Sequence, residues 1–315
     1  MGNQDLNVSI GGKHAKRIAC TRSSDLLKAM RKRNPLSDKR ENGTVVLIGG
    51  SNEYHGAPLL AANAANDLLA SLRIGAGYAE LILPRSILAP ARSASPNLVV
   101  KPAGKDFIPK SAVPFIAQEI ARADAVIIGP GMGRRRSTSE AAGLVIKKCI
   151  ELGKKAVIDA DAIYAAASAR KLYPDCIFTP HDHEFKALSG ISLPKDDLEV
   201  RANAALETAQ KFGAVIVLKG HHTLITDGTR IKLNRSRSAV LATMGTGDVL
   251  SGIIGGFLAI GSDAFSAAIA GVYLHSKIGD MLYRRMGNHI IASDIVDSIP
   301  TALRRLSSHA SHAKV

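Results

Sequence analysis

Aromatic side chains are scarce in this chain: tryptophan is absent, and aromatic residues fill only 4% of its 315 positions. None lies among the first 42 residues, where basic residues crowd. The formal charge of +14 therefore comes without interleaved rings on which bases could stack, and a nucleic-acid partner is not expected as the main function. Cysteine is scarce too. Cys20, Cys149 and Cys176 are odd in number, far apart and without metal-ligand spacing. They exclude a cysteine zinc site and suit a reducing compartment. Long apolar runs are missing: a membrane helix needs roughly 18 to 20 such residues, and the best stretch, 249–260, is broken by Ser251, Gly252, Gly255 and Gly256. The N-terminus is polar and lacks the apolar core of a secretory signal. These absences lead to the expectation of a soluble, cytoplasmic protein with no membrane partner.

Hydrophobic residues make up 46% of the chain, enough for the core of one large α/β domain. Before Gly43, ten basic residues face four acidic ones. Residues 1–42 read as a basic N-terminal extension with one short helical pattern around 24–33. It is expected to act as a solvated arm that the fold does not need, because it lacks the apolar pattern of a packed element. From residue 43 to 306, apolar runs alternate with Ala-rich helical segments; 307–315 reads as a C-terminal tail. Strands are expected at 44–48, 78–83, 97–100, 125–128, 155–158, 177–179 and 215–218, with a hairpin of 222–226 and 229–233 around Asp227-Gly228. Helices are expected at 57–72, 138–151, 200–211, 247–259, 262–285 and 295–305. Continuous apolar strands alternating with helices imply an α/β fold: a mainly parallel central sheet with helices on both faces.

In such sheets ligands bind beyond the carboxyl ends of the strands, so the residues after each strand come first. Gly245-Thr246-Gly247-Asp248 leads into an apolar helix, whose free N–H groups and positive dipole end form an anion site. An Asp there repels a bound anion but suits a general base aimed at a hydroxyl that attacks a phosphoryl group. It reads equally as a favourable first-turn residue. Thr179-Pro180-His181-Asp182-His183-Glu184 ends a short strand and opens a helix. It lacks the ligands for a tight zinc site, and Glu184 is the candidate for water-mediated Mg2+ binding. A buried strand delivers Lys219, followed by Gly220-His221-His222-Thr223, where an ammonium would meet phosphate. Gly129-Pro130-Gly131-Met132-Gly133 is a ligand-contacting turn; Pro130 and the Arg134-Arg135-Arg136 run spoil a dinucleotide fingerprint. Gly49-Gly50-Ser51 through Gly56-Ala57-Pro58 is a strand-to-helix loop with small residues at the helix start. Asp159 and Asp161 read as helix caps or as a wall of the active site.

Taken in order, Gly-Gly-Ser…Gly-Ala-Pro, Gly-Pro-Gly-Met-Gly, Thr-Pro-His-x-x-Glu-Phe, Lys-Gly-x-x-Thr and Gly-Thr-Gly-Asp resemble the ADP/ATP-dependent NAD(P)H-hydrate dehydratases. That family belongs to the ribokinase-like superfamily, and the resemblance covers about residues 43–306. His181 discriminates, since many related vitamin kinases place Asn there. The resemblance implies that Ala57, Gly131, His181 and Asp248 contact hydrated NADH or NADPH, with Asp248 as the catalytic base. It implies that Lys219, Gly220, His221, His222, Thr223 and Gly247 contact ADP or ATP, with Mg2+ as cofactor. The expected assembly is a homo-oligomer, such as a tetramer. Because 42 residues are too few for the epimerase domain often fused in this family, epimerase activity is not expected. The alternative is a ribokinase-fold kinase of a small alcohol of the thiamine-precursor type. Three stretches depart from the family pattern: Asp182-His183 replaces Pro-Gly, Arg237-Ser238-Ala239 replaces Gly-Asn-Pro, and Met244 replaces a Gly.

Overall fold

A computed structural model describes residues 6–10, 14–52, 65–167, 175–235 and 239–312. Its strands are β1 (Leu6–Ile10), β2 (His14–Cys20), β3 (Thr44–Ile48), β4 (Tyr78–Leu83), β5 (Val99–Pro102), β6 (Ala125–Ile128), β7 (Lys155–Ile158), β8 (Cys176–Phe178), β9 (Val215–Leu218), β10 (His222–Thr226) and β11 (Ile231–Arg235). They join in the order β1-β2-β11-β10-β9-β8-β7-β6-β3-β4-β5. From β9 to β5 every pairing is parallel, whereas β10 runs antiparallel to both β9 and β11. The α/β expectation therefore holds, with the hairpin's second strand two residues later than its sequence pattern implies.

Alternation along each central strand splits the core into two layers. Val45, Leu47, Ala125, Ile127, Val215 and Val217 face one hydrophobic cluster, and Val46, Ile48, Val126, Ile128, Ile216 and Leu218 face the other. Helices α1 (Ser23–Ala29), α2 (Ala65–Ile74), α9 (Thr246–Ala259), α10 (Ala264–Met286) and α11 (Ala292–His312) serve the first cluster. Helices α4 (Val113–Ala121), α5 (Arg136–Glu151), α6 (Asp161–Ala166), α7 (Asp182–Ser189) and α8 (Leu198–Phe212) serve the second, and α3 (Leu88–Ala94) lies near the β5 edge. Helix α9 is apolar nearly all round because it is buried nearly all round. Its Gly256 lets the α2 backbone at Ser71 approach so closely that a Cβ would sit 2.9 Å from Ser71 Cα. The Ser71 hydroxyl donates to the Gly252 carbonyl at 2.7 Å and locks the crossing.

The N-terminal segment corrects the expectation of a solvated arm. Strand β2 extends the sheet by pairing in parallel with β11, Ala19 opposite Lys232 and Cys20 opposite Leu233. Ile18, Cys20, Leu26 and Ala29 are buried, and Thr21 donates to Asn234 at 2.8 Å. Lys232 reaches Asp25 at 3.2 Å. The charge surplus is real, but it sits around a packed strand and helix whose apolar residues number only a few. At the other end, α11 continues to His312, through most of the stretch expected to be a tail. The start of the expected helix 57–72 lies outside the described residues. Among those described, no helix is long and apolar enough to cross a membrane.

Candidate active site

Loops after β6, β7, β8 and β9 meet the start of α9 at the carboxyl edge of the sheet, and a buried carboxylate organises the junction. Asp159, just past β7, is 1% exposed. It accepts hydrogen bonds from Thr179 Oγ1 at 2.6 Å and Ser251 Oγ at 2.7 Å, and Lys219 Nζ lies 3.3 Å away. Two loops and helix α9 are thereby pinned to one side chain. Ala160 follows with φ +47°, a left-handed conformation that strains a residue with a Cβ. Beyond it, Asp161 turns to the neighbouring loop and accepts from Gly133 N at 2.8 Å and Arg134 Nε at 3.1 Å. Gly129, Gly131 and Gly133 all have positive φ. At Gly129 this is required: a Cβ there would collide with the Asp159 carbonyl.

Lys219 is the cation of the cluster. Burial works against its charge, but Asp159, Glu184 and Asp248 more than offset that, and its pKa is raised. Glu184 lies 3.8 Å from Lys219 Nζ. Burial pushes its carboxyl up, opposed mainly by Lys219. Its Oε2 also accepts from His181 N at 2.8 Å, half of a capping box at the start of α7. The other half is unusual: the His181 ring caps the helix, Nδ1 accepting from the N–H groups of His183 and Glu184 at 3.1 and 3.3 Å. That network places the ring proton on Nε2, which faces Glu184 Oε1 at 3.4 Å. Burial first, then Lys219 and His183, lowers the imidazole's pKa, which favours the neutral ring.

Asp248 enters the same cluster from the first turn of α9. The turn is prepared by Gly245 in the left-handed region, φ +84°, and by Thr246, whose hydroxyl donates to the carbonyls of Leu241 and Thr243 at 2.6 and 2.8 Å. Burial, then the negative charge of Asp159, raises the Asp248 carboxyl to about 7 against the pull of Lys219. A carboxyl titrating there is poised as a base at neutral pH. Next to it, a cavity of about 730 Å³ is lined by His181, Lys219, Gly220, His221, Thr223 and Gly247, among others. At Gly247 a Cβ would stand 3.5 Å from Lys219 Nζ, so the backbone there and the ammonium share one wall.

The candidates from sequence thus fall into groups. His181, Lys219, Gly220, His221, Thr223 and Gly247 converge on the cavity, while Asp248 and Glu184 belong to the charge cluster beside it. His222 is not among the lining residues; its ring lies against His221, with centroids 4.4 Å apart. Gly131 sits in the adjoining glycine loop with φ +65°. Ala57, Arg237 and Ser238 lie outside the described residues. Among those described, no three His, Cys, Asp or Glu side chains form a metal cluster. One buried carboxylate, Glu184, fits a cation held mostly by phosphate oxygens and water.

Several site residues carried no sequence signal. Arg201, 4% exposed, reaches from α8 to the Lys219 carbonyl at 3.1 Å and to Asp182 at 2.8 Å. It runs beneath Gly220, where a Cβ would stand 2.8 Å from the guanidinium. His275, on α10, lines the cavity with its Nε2 lacking a partner. Burial drives its pKa down to about 4. Ser251 and Thr179, the donors to Asp159, read in sequence only as part of an apolar helix and a strand end.

Residues 45–301 match the model of the NAD(P)H-hydrate dehydratase family. The chain is 36% identical over 270 residues to a bifunctional NAD(P)H-hydrate repair enzyme of Pyrobaculum aerophilum, covering 85% of this chain and 52% of that protein. It therefore spans about half the length of the curated relatives of that type. It is 33% identical to an ADP-dependent (S)-NAD(P)H-hydrate dehydratase of Cenarchaeum symbiosum, with coverage of 89% and 95%. Among solved structures, the ADP/ATP-dependent NAD(P)H-hydrate dehydratase of Bacillus subtilis, co-crystallised with ATP and Mg2+, superposes with a TM-score of 0.73 at 26% identity. The match covers 90% of this chain and 97% of that one.

Proposed function

Because the chain belongs to the NAD(P)H-hydrate dehydratase family, we propose that it restores hydrated NADH and NADPH to the reduced cofactors, at the expense of ADP or ATP. One observation carries the reading: a carboxylate raised to about 7, Asp248, stands at a helix start beside Lys219 and the glycine-lined cavity. The cavity takes the nucleoside phosphate. The free amides of the α9 start and the Lys219 ammonium face its terminal phosphoryl group. Asp248, His181 and Gly131 contact the hydrated ring and its linking phosphates, and Ala57 is included on the family pattern.

The substrate's hydroxyl sits on the ring carbon beside the nitrogen. Asp248 accepts the hydroxyl proton as the oxygen attacks the terminal phosphorus, and the shortened nucleotide leaves. The new phosphate ester then departs with its bonding electrons as the nitrogen lone pair forms a C=N bond. Loss of a proton from the adjacent ring carbon restores the dihydropyridine. The same base and anion site that make a stable ester in a kinase thus give elimination here, because the ester lies next to a ring nitrogen. Mg2+, when bound with the nucleotide, supplies charge neutralisation on the phosphates, and Glu184 is the residue that would hold its water shell. In this reading the protein assembles as a homo-oligomer. Exposed Leu36, Tyr283 and Ile291 offer apolar surface for that, and light scattering measures the assembly.

The test uses the whole chain with hydrated NADH, Mg2+ and either ADP or ATP. Dihydropyridine absorbance should return, with one inorganic phosphate released per cofactor and no stable phosphorylated product. If hydrated NADH is untouched with both nucleotides while a thiazole or pyrimidine alcohol becomes phosphorylated, the kinase reading replaces this one.

A further inference from the structure

Beyond Asp159, at loops one, two and four strands along from β7, the same edge of the sheet carries a second, smaller cavity that none of the chemistry above uses. Its volume is about 140 Å³, and its six lining residues are Ser51, Asn52, Asp106, Phe107, Met132 and Arg135. Ser51 and Asn52 follow β3, Asp106 and Phe107 lie in the loop after β5, and Met132 and Arg135 come from the loop after β6. Each follows a parallel strand at its carboxyl end, on the side where ligands bind in such sheets.

The pocket is built rather than incidental. Ser51 is 3% exposed and Met132 1% exposed, and the Ser51 hydroxyl has no hydrogen-bond partner. A buried polar atom without a partner is costly, and here it lines a cavity that can hold one. The walls are fixed by backbone bonds: Asn52 N donates to the Asp106 carbonyl at 2.8 Å, and Gly50 N donates to the Pro130 carbonyl at 2.8 Å. The Arg135 guanidinium lies 5.4 Å from the centre of the Phe107 ring, a cation held beside an apolar plate.

We propose that this pocket receives the far ribose of the hydrated dinucleotide, with Arg135 reading a 2′-phosphate and Asp106 reading a 2′-hydroxyl. The inference rests on the dehydratase reading and deepens it by naming what separates hydrated NADPH from hydrated NADH. Three features point to this ligand. A carboxylate accepts from a ribose hydroxyl and repels a phosphate, while a guanidinium pairs with a phosphate in two parallel bonds; a pocket with both can read either form of a dinucleotide's ribose. The pocket's lining loops follow strands one, two and four places from β7, which centres it roughly 10 Å from the β7 end. That distance is what a pyrophosphate linker between two nucleosides must bridge. The Gly129–Gly133 turn joins the two places: Met132 lines the pocket, and Gly131, with φ +65°, presents no side chain to a linker.

The experiment compares kcat/KM for hydrated NADPH and hydrated NADH in the full chain, at fixed nucleotide and Mg2+. Arg135→Ala should move the ratio against hydrated NADPH by roughly tenfold or more, the effect of one charge-assisted contact, acting through KM rather than kcat. Arg135→Lys should recover part of it. Asp106→Asn should move the ratio the opposite way, because a negative charge beside the phosphate is gone and an acceptor for the hydroxyl is weakened. A ratio that stays at the wild-type value in both Arg135→Ala and Asp106→Asn, while both hydrates are still repaired, overturns the pocket assignment and leaves the dehydratase reading standing. Wild-type protein that repairs neither hydrate overturns both.

Discussion

Replacing Asp248 by Asn should make the protein more stable and nearly inactive at once. The carboxyl titrates at about 7 instead of its ordinary 3.8, so the ionised form is disfavoured in the native state. At roughly 1.4 kcal/mol per pH unit, that is a destabilisation of about 4 kcal/mol at high pH. The sign follows from proton counting. Between the two pKa values the native carboxyl keeps a proton that the unfolded chain has released, so stability falls as pH rises through that window. The loss is absent below the unfolded pKa and complete above the folded one. An amide cannot ionise, and in the variant Lys219 still has Asp159 and Glu184 as partners. Urea unfolding at about pH 4 should therefore give similar free energies for the two proteins, and at about pH 8 a gain for Asp248→Asn of up to about 4 kcal/mol. Turnover should drop by roughly 10²–10⁴-fold or more, because the amide cannot accept the hydroxyl proton. A variant that is less stable than wild type at about pH 8 would sink the electrostatic account, and one with near-wild-type turnover would sink the assignment of the base.

Two further outcomes are expected. Wild-type kcat/KM should rise with pH and reach half its plateau near pH 7; Lys219→Met, which removes the charge that lowers the Asp248 pKa, should shift that limb upward and weaken the nucleotide's apparent affinity. An unmoved limb would mean that Asp248 is not the group being titrated. Leu26→Ala, at a fully buried position of α1, should cost about 2–5 kcal/mol in urea unfolding, whereas a change near zero would restore the picture of a solvated N-terminal arm.

The central sheet was legible because its strands are short, mostly apolar and separated by helical spacing; β3, β4, β6, β7, β9 and β10 begin and end where the residues imply. The N-terminal strand was not, and the helical pattern around 24–33, present as α1, gave no sign that it packs. Their apolar contribution rests on Ile18, Cys20, Leu26 and Ala29, four side chains scattered among many charges, and it becomes a pattern only once β11 is there to pair with. His181 shows a subtler limit. The family resemblance marked it as a contact residue, yet the ring also caps α7, a task that Asn, the residue the resemblance sets against it, performs equally well. The exchange therefore leaves the helix start intact and alters what the cap offers to a ligand, namely a neutral ring with its Nε2 towards Glu184.

Asp159 marks the deeper limit, since nothing near it in sequence announces what it does. Its partners Thr179, Lys219 and Ser251 stand 20, 60 and 92 residues away, and their convergence is a product of the parallel topology, which brings successive strand ends to one edge. The only local trace is conformational. Two residues apart in a regular strand, Asp159 and Asp161 would share a face; here Ala160 takes φ +47°, and the two acids serve different loops. Asp159 holds Lys219 and the start of α9, and Asp161 holds the glycine turn through Gly133 and Arg134. Strain at an alanine persists only where its surroundings over-determine it, and the collision that a Cβ at Gly129 would have with the Asp159 carbonyl shows how tightly they do so. Lys219 and the start of α9 are thus held by a backbone kink that neither composition nor spacing encodes, which is why Asp159 and Asp161 read in sequence only as helix caps or as a wall of the site.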